Sequence, residues 1–107
     1  MWEAAQQLAI DVHRAATGMR GVGSATLRDQ LVRASMSVPA NIVEGCAQKS
    51  PREVVRFLRY ALSSVSEAEG HAQLARDLLM IEQDDFECIG KGVVAVRKML
   101  YGFIKKL

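Results

Sequence analysis

The sequence predicts an all-α fold, an up-and-down antiparallel four-helix bundle, and three observations support it. Half of the 107 residues are apolar but only 6% are aromatic, which suits closely packed helices better than a β-sandwich. The long apolar patterns repeat every three or four residues, as they do along one face of a helix. Short polar or glycine-containing segments divide these patterns into four, and a chain of this length has room for one core. We therefore expect a single domain over residues 1–107.

The first helix is expected over residues 2–18, where apolar residues from Trp2 to Ala15 recur at helical spacing. Glycines at 18, 21 and 23 then predict a flexible connection. The second helix is expected over residues 24–47, with the hydroxyl of Ser24 or Thr26 capping its first turn.

Pro39 lies within the apolar pattern of the second helix, which we expect to comprise Leu27, Leu31, Ala34, Val38, Ile42 and Val43. Proline removes a backbone donor and crowds the carbonyl four residues earlier. Because the pattern resumes after Pro39, we expect a bend rather than an end, with Ser35 and Ser37 bonding groups that the bend frees.

The third helix is expected over residues 51–81 and has the clearest start in the chain. Ser50 is placed to cap it, Pro51 occupies the first helical position, and Glu53 is placed to reach back to the Ser50 amide. The predicted buried seam contains four alanines: Val54, Leu58, Ala61, Val65, Ala68, Ala72, Ala75 and Leu79.

The fourth helix is expected over residues 84–106, capped by Asp84 or Asp85. Its apolar residues form two lines, which together are broader than one neighbouring helix requires. The first is Phe86, Ile89, Val93, Val96, Leu100, Phe103 and Leu107; the second is Val94, Tyr101 and Ile104. Burial against two helices is one explanation and self-association is the other.

Charge is distributed unevenly, although the net charge is only +2. Residues 47–60 and 91–107 are basic and residues 61–90 are acidic, so the two ends of the bundle should differ in sign. The sequence contains neither a basic segment followed by a secretory apolar run nor a membrane-spanning run, so the cytoplasm is the expected location. Cys46 and Cys88 are expected to be reduced, semi-buried thiols.

One motif resembles a known family. It runs Leu27-x-x-Gln30-x-x-Arg33-Ala34-x-x-Ser37-Val38-Pro39-Ala40-Asn41-Ile42-x-Glu44-Gly45, followed by Ser50, Arg56-Phe57-Leu58, Ala61, Ser64 and Glu67. It is similar to the bacterial four-helix-bundle proteins encoded in intervening sequences of 23S rRNA genes, often labelled ribosomal proteins. The likeness extends from Trp2 to Leu107. Their relatives include accessory variability proteins of diversity-generating retroelements.

The resemblance implies a small cytoplasmic bundle that assembles into a homo-oligomer, a ring of five in known members. It implies a binding or scaffold module without catalytic activity. From the residues we also expect no cofactor, no small-molecule substrate and no membrane partner. The retroelement relatives bind a reverse transcriptase and nucleic acid through basic surfaces. An accessory protein that binds rRNA, or RNA or DNA associated with a reverse transcriptase, is therefore the alternative function.

A basic row supplies the candidate nucleic-acid-binding residues. Arg52, Arg56 and Arg59 share one face of the third helix, and Lys49 extends the row into the preceding loop. Such a row can follow a phosphate backbone. The alternative, which we favour, is a solvated face in which Arg52 or Arg56 pairs with Glu53 or with acids of another subunit.

Polar residues at the family positions suggest a hydrogen-bonded network that fixes helix register. The structural network predicted from the motif consists of Gln30, Arg33, Ser37, Pro39, Asn41, Glu44, Gly45 and Glu67. The functional alternative makes Asn41 and Glu44 a ligand-binding or active-site pair.

Metal and enzyme sites are poorly supported by the sequence. Glu67 and His71 form one acid–histidine pair, but di-iron bundles need two Glu-x-x-His motifs, and the cysteines and histidines lack zinc-ligand spacing. The Arg-to-His spacing of helical HEPN nucleases is missing, as is a glycine-rich phosphate loop. We predict no metal and no catalytic residue.

Overall fold

A computed structural model describes all 107 residues as four α-helices without strands. The helices are α1 (Trp2–Ala16), α2 (Ser24–Cys46), α3 (Pro51–Asp77) and α4 (Gln83–Lys106). Each contacts the next along the chain, α4 also contacts α1, and neither diagonal pair is in contact. This is the predicted all-α four-helix bundle, about 45 Å long. None of its helices has the length and hydropathy needed to cross a membrane.

Twenty-four buried apolar residues form one core along the bundle axis. Leu8, Leu31, Leu58, Val65 and Leu100 are fully buried within it. The four alanines of the α3 seam are also buried inside this single chain. Their small side chains let neighbouring helices approach closely, so they explain packing within the bundle and supply no free surface for association.

The start of α3 is confirmed at atomic detail, whereas the predicted caps of two other helices are wrong. Ser50 Oγ accepts a hydrogen bond from the Glu53 amide at 3.1 Å, and the Glu53 carboxylate turns to Arg56 instead of back to Ser50. Gly23 precedes α2 with φ at 81°, and α4 begins after Glu82. Neither helix has a side-chain cap: glycine has no side chain to offer, and the Glu82 side chain makes no bond to the first turn.

Pro39 lies within α2, which continues unbroken from Ser24 to Cys46. The predicted bend stays a prediction. The predicted roles of two serines change, because Ser35 Oγ donates to the Val32 carbonyl at 2.8 Å and Ser37 Oγ bonds Ser64 of α3. These hydroxyls therefore do not bond the carbonyl of Ser35, the group that proline leaves without its helical donor.

The end of α3 is earlier than the predicted residue 81. The amide of Met80 donates to the Ala75 carbonyl at 2.8 Å and that of Leu79 to the Arg76 carbonyl at 3.0 Å, closing a Schellman motif. Leu79 has φ at 59° and is 83% exposed, so it leaves the seam to which the sequence assigned it. Its apolar spacing could not reveal this left-handed turn.

Replacing Leu79 with glycine should stabilise the protein. A left-handed non-glycine residue costs roughly 1–2 kcal/mol, and part of that gain is offset by the freedom of glycine in the unfolded chain. We expect the free energy of unfolding to rise by about 0.5–1 kcal/mol in urea denaturation. A fall would show that the exposed Leu79 side chain contributes packing that outweighs its backbone strain.

Several apolar residues predicted to be buried are exposed. Val43 is 55% exposed on α2, because it lies on the side of that helix opposite Val38. On α4 the core takes only Ile89, Val93, Val96 and Leu100, with Phe86 and Ile104 packed at its edge. The remaining predicted α4 residues, Val94, Tyr101, Phe103 and Leu107, are exposed. Burial against two helices therefore accounts for six of the ten residues of the broad apolar face.

Candidate functional site

The acidic first turn and the basic last turn of α4 lie at opposite ends of the bundle. The α1–α2 and α3–α4 loops meet at one end, where the Arg20 amide donates to the Met80 carbonyl at 3.1 Å. Acidic residues of α4, Asp84 and Asp85, lie in the first turn at this end. The other end holds the start of α3 and the last turn of α4, which contains Lys105 and Lys106.

Within the predicted basic row, one arginine is engaged and the others are free. Arg56 Nε donates to Glu53 Oε2 at 2.7 Å, and its guanidinium lies 4.8 Å from the centre of the Phe57 ring and 5.6 Å from that of Tyr60. The bonds to Glu53 and then Tyr60 raise the pKa of Arg56. Arg52 and Arg59 are exposed and have no carboxylate within 4.0 Å, nor has Lys49 in the loop.

The structure adds a basic neighbour to this row. Because α3 and α4 are antiparallel neighbours, the start of α3 lies beside the end of α4, where Lys98 and Lys105 are exposed. Tyr101 lines a groove between these two helices. Sequence reasoning noted the basic α4 but did not include it in the site, although the predicted up-and-down order would have placed it there.

The α3–α4 groove has a volume of about 480 Å³ and is lined by Arg59, Leu62, Ser63, Ser66 and Tyr101. Arg97 reaches across it, donating to Glu69 at 2.9 Å and to Ser66 at 3.3 Å. The Arg97 side chain therefore neutralises Glu69, the acid of α3 that lies beside the groove. Arg59 is the only charged residue among those that line the groove.

The predicted polar network is smaller than expected. Asn41 Nδ2 donates to Ser37 Oγ at 3.0 Å and to the Ser37 carbonyl at 2.9 Å. The Ser37 and Ser64 hydroxyls lie 2.7 Å apart, which joins α2 to α3. The Asn41 amide is therefore used within the bundle, and the Glu44 carboxylate does not join it in a pair.

The other family positions lie outside this network. Gln30, Arg33, Glu44 and Glu67 are exposed, and none of their side chains bonds another helix. The sequence predicted that these four residues would bond within the bundle. That prediction is wrong, because they lie on the outer flanks of α2 and α3. Gly45 is buried where α2 meets α3 and Pro39 is half-buried, so both positions are structural.

Titratable groups elsewhere do not converge on one site. His71 Nε2 lies 3.6 Å from Glu67 Oε1, without a hydrogen-bond partner, and no three His, Cys, Asp or Glu side chains are grouped to hold a metal ion. Both cysteines are exposed, which corrects the expected semi-burial. Local desolvation and then Asp11 raise the pKa of the Cys88 thiol, so it is less nucleophilic at neutral pH.

A different kind of surface covers α1 and α2. We define the α1–α2 outer face as Trp2, Ile10, Met36 and Val43, which are 42%, 42%, 60% and 55% exposed. Next to it a groove of about 590 Å³ has apolar residues Ala16, Val32 and Met36 beside His13, Thr17, Arg28, Asp29 and Arg33. Sequence reasoning missed this face, because it placed Val43 in the buried stripe of α2 and assigned no role to Met36.

Comparisons with known proteins agree with this fold. The family model described as "23S rRNA-intervening sequence protein" matches residues 1–102, and no curated protein matches the chain. A solved structure titled as a protein of unknown function from the S23 ribosomal protein family of Bacteroides thetaiotaomicron VPI-5482 is 21% identical. It has a TM-score of 0.86, with 97% of each chain covered. Neither description names an enzyme. The chain belongs to the 23S rRNA-intervening sequence protein family.

Proposed function

We propose that the protein is a non-enzymatic helix-bundle module of the cytoplasm that self-assembles into a homo-oligomer and acts as a binding or scaffold unit. The observation that carries this proposal is the α1–α2 outer face, where four large apolar side chains are exposed on neighbouring helices. Exposed apolar patches of this kind mark protein interfaces. A net charge of +2 also produces little repulsion between copies.

A second exposed apolar surface favours a ring over a two-fold dimer. Met99 and Phe103 of α4 are 46% and 38% exposed. Gly92 is the α4 residue that faces Leu8 of α1. Met99 and Phe103 come seven and eleven residues after Gly92, so they lie on the same side of α4, toward α1. Because α4 does not contact α2, this surface is separate from the α2 part of the outer face, Met36 and Val43, and α1 lies between them. Two different surfaces per subunit are what a closed head-to-tail ring needs, and the family resemblance implies five subunits.

A charge on the α1–α2 outer face should prevent assembly. We expect light scattering to give wild type a mass several times the 11.8 kDa of one chain, and Met36→Glu the single-chain mass. Because Met36 is 60% exposed, the variant should keep its helical circular dichroism. Leu74→Glu is the matched control, since Leu74 is 48% exposed on α3, away from the proposed interfaces. A single-chain mass for wild type at micromolar concentration would contradict the proposal.

Nucleic-acid binding is the second candidate function. It is favoured by Lys49, Arg52 and Arg59, which have no acidic partner, and by the lysines that α4 adds at the same end. Unpaired cations grouped on one face are typical of phosphate-binding surfaces. Titration with RNA and DNA at low salt tests this candidate separately from assembly.

A further inference from the structure

The α3–α4 groove has the features of a site for an extended polyanion. Arg52 and Arg59 are two helical turns apart along α3, and Lys98 and Lys105 are two turns apart along α4, so each pair spans about 10.5 Å. All four are exposed. Arg59 lines the groove with Tyr101, Arg52 lies on the same face of α3 as Arg59, and Lys98 and Lys105 lie one turn to either side of Tyr101 on α4. Between Pro51 and Ser66 the only acid is Glu53, which Arg56 already holds at 2.7 Å. No acid of the neighbouring segments opposes an incoming phosphate.

An aromatic ring lies between the two lysines along α4. Tyr101 is 56% exposed and shares the groove with Arg59 and the apolar side chain of Leu62. No hydrogen bond or aromatic contact engages the Tyr101 ring within the chain. Exposed aromatic rings beside a cationic path are the platforms on which unpaired bases stack.

The exposed Tyr101 ring favours a single strand over a duplex. A duplex keeps its bases stacked between paired backbones and offers none of them to an aromatic side chain. A single strand can follow the cations with its phosphates and turn a base onto the ring.

We propose that the α3–α4 groove binds single-stranded nucleic acid, with Tyr101 stacking one base and Arg59, Lys98 and Lys105 contacting the phosphates. The proposal rests on the second candidate function and deepens it by naming the class of ligand. It extends the basic row of α3 to a site in which α4 supplies the aromatic platform. The engaged Arg56 contributes only to the general positive field.

The experiment measures fluorescence anisotropy of oligo-U, oligo-dT and a duplex of equal length, each about 12 nucleotides, at low and moderate salt. We expect at least one single strand to bind more tightly than the duplex, and the tighter of the two identifies RNA or DNA as the preferred ligand. Tyr101→Ala should weaken this binding about tenfold or more, and Tyr101→Phe should retain it. Lys98→Ala should reduce the slope of log affinity against log salt by about 0.7.

A matched control and two opposing outcomes make the test specific. Tyr60 is also exposed on α3, but its hydroxyl accepts a bond from Arg56 at 3.2 Å, and Tyr60→Ala should leave affinity unchanged. Equal binding of duplex and single strands, unaffected by Tyr101→Ala, would overturn the groove proposal while leaving nucleic-acid binding in place. Absence of binding to all three probes at low salt would remove both.

Discussion

Replacing Leu58 with alanine is expected to lower the free energy of unfolding by about 2–5 kcal/mol. Leu58 is fully buried in the core, and its Cδ2 lies 3.5 Å from the position of a Cβ at Gly45, where α2 and α3 meet. The substitution removes apolar contacts and leaves a cavity that rigid helices only partly close. The loss is a large fraction of the roughly 5–15 kcal/mol typical of a domain.

Urea denaturation followed by far-UV circular dichroism checks this value. Protein concentration must be held fixed, because self-association makes apparent stability depend on it. Leu74→Ala is the control on the same helix, and its 48% exposure predicts a change within about 0.5 kcal/mol. Equal losses for the two variants would mean that α3 does not bury the face assigned to it.

Replacing Gly45 with leucine should destabilise the bundle by about 1–3 kcal/mol. A Cβ at this position would lie 3.0 Å from the Phe57 Cβ and 3.4 Å from the Val54 carbonyl oxygen. The backbone of α2 therefore passes directly over α3, and a larger side chain must push the helices apart. The Ser37 to Ser64 bond at 2.7 Å spans the same interface and would be strained by that movement.

Gly70→Leu is the matched control for this change. Gly70 lies in α3 and is exposed. A Cβ added to Gly70 would have open space around it, with no atom of a neighbouring helix within 4 Å. Leucine there should raise stability by up to about 1 kcal/mol, because it is a better helix former than glycine. The two variants are compared by thermal and urea unfolding. Similar effects of the same sign would contradict the close approach of α2 and α3 at Gly45.

The sequence predicts the fold well because apolar spacing and one strong cap carry most of the information. Positions such as Leu58 and Val65 recur at helical spacing and are buried as expected. The same rule fails at Val43 and Leu79, since spacing does not distinguish a core flank from an exposed flank or reveal a left-handed turn. Because the sequence pattern placed Val43 on the buried side of α2 together with its neighbour Ile42, it did not reveal the α1–α2 outer face.

The candidate site was predicted less completely than the fold. The sequence identified Arg52 and Arg59, but it also included Arg56, whose engagement with Glu53 and two aromatic rings depends on side-chain geometry. Tyr101 joined the site only once α3 and α4 were placed side by side. A site that two distant helices build needs their register as well as their composition.

Dilution of the wild-type protein, followed by tryptophan fluorescence and sedimentation, tests the proposed assembly most directly. Trp2 is the single tryptophan and lies on the α1–α2 outer face, 42% exposed in the isolated chain. We predict that its emission shifts to longer wavelength as the mass falls from that of the oligomer to 11.8 kDa. An unchanging emission together with a single-chain mass at every concentration would contradict the proposal.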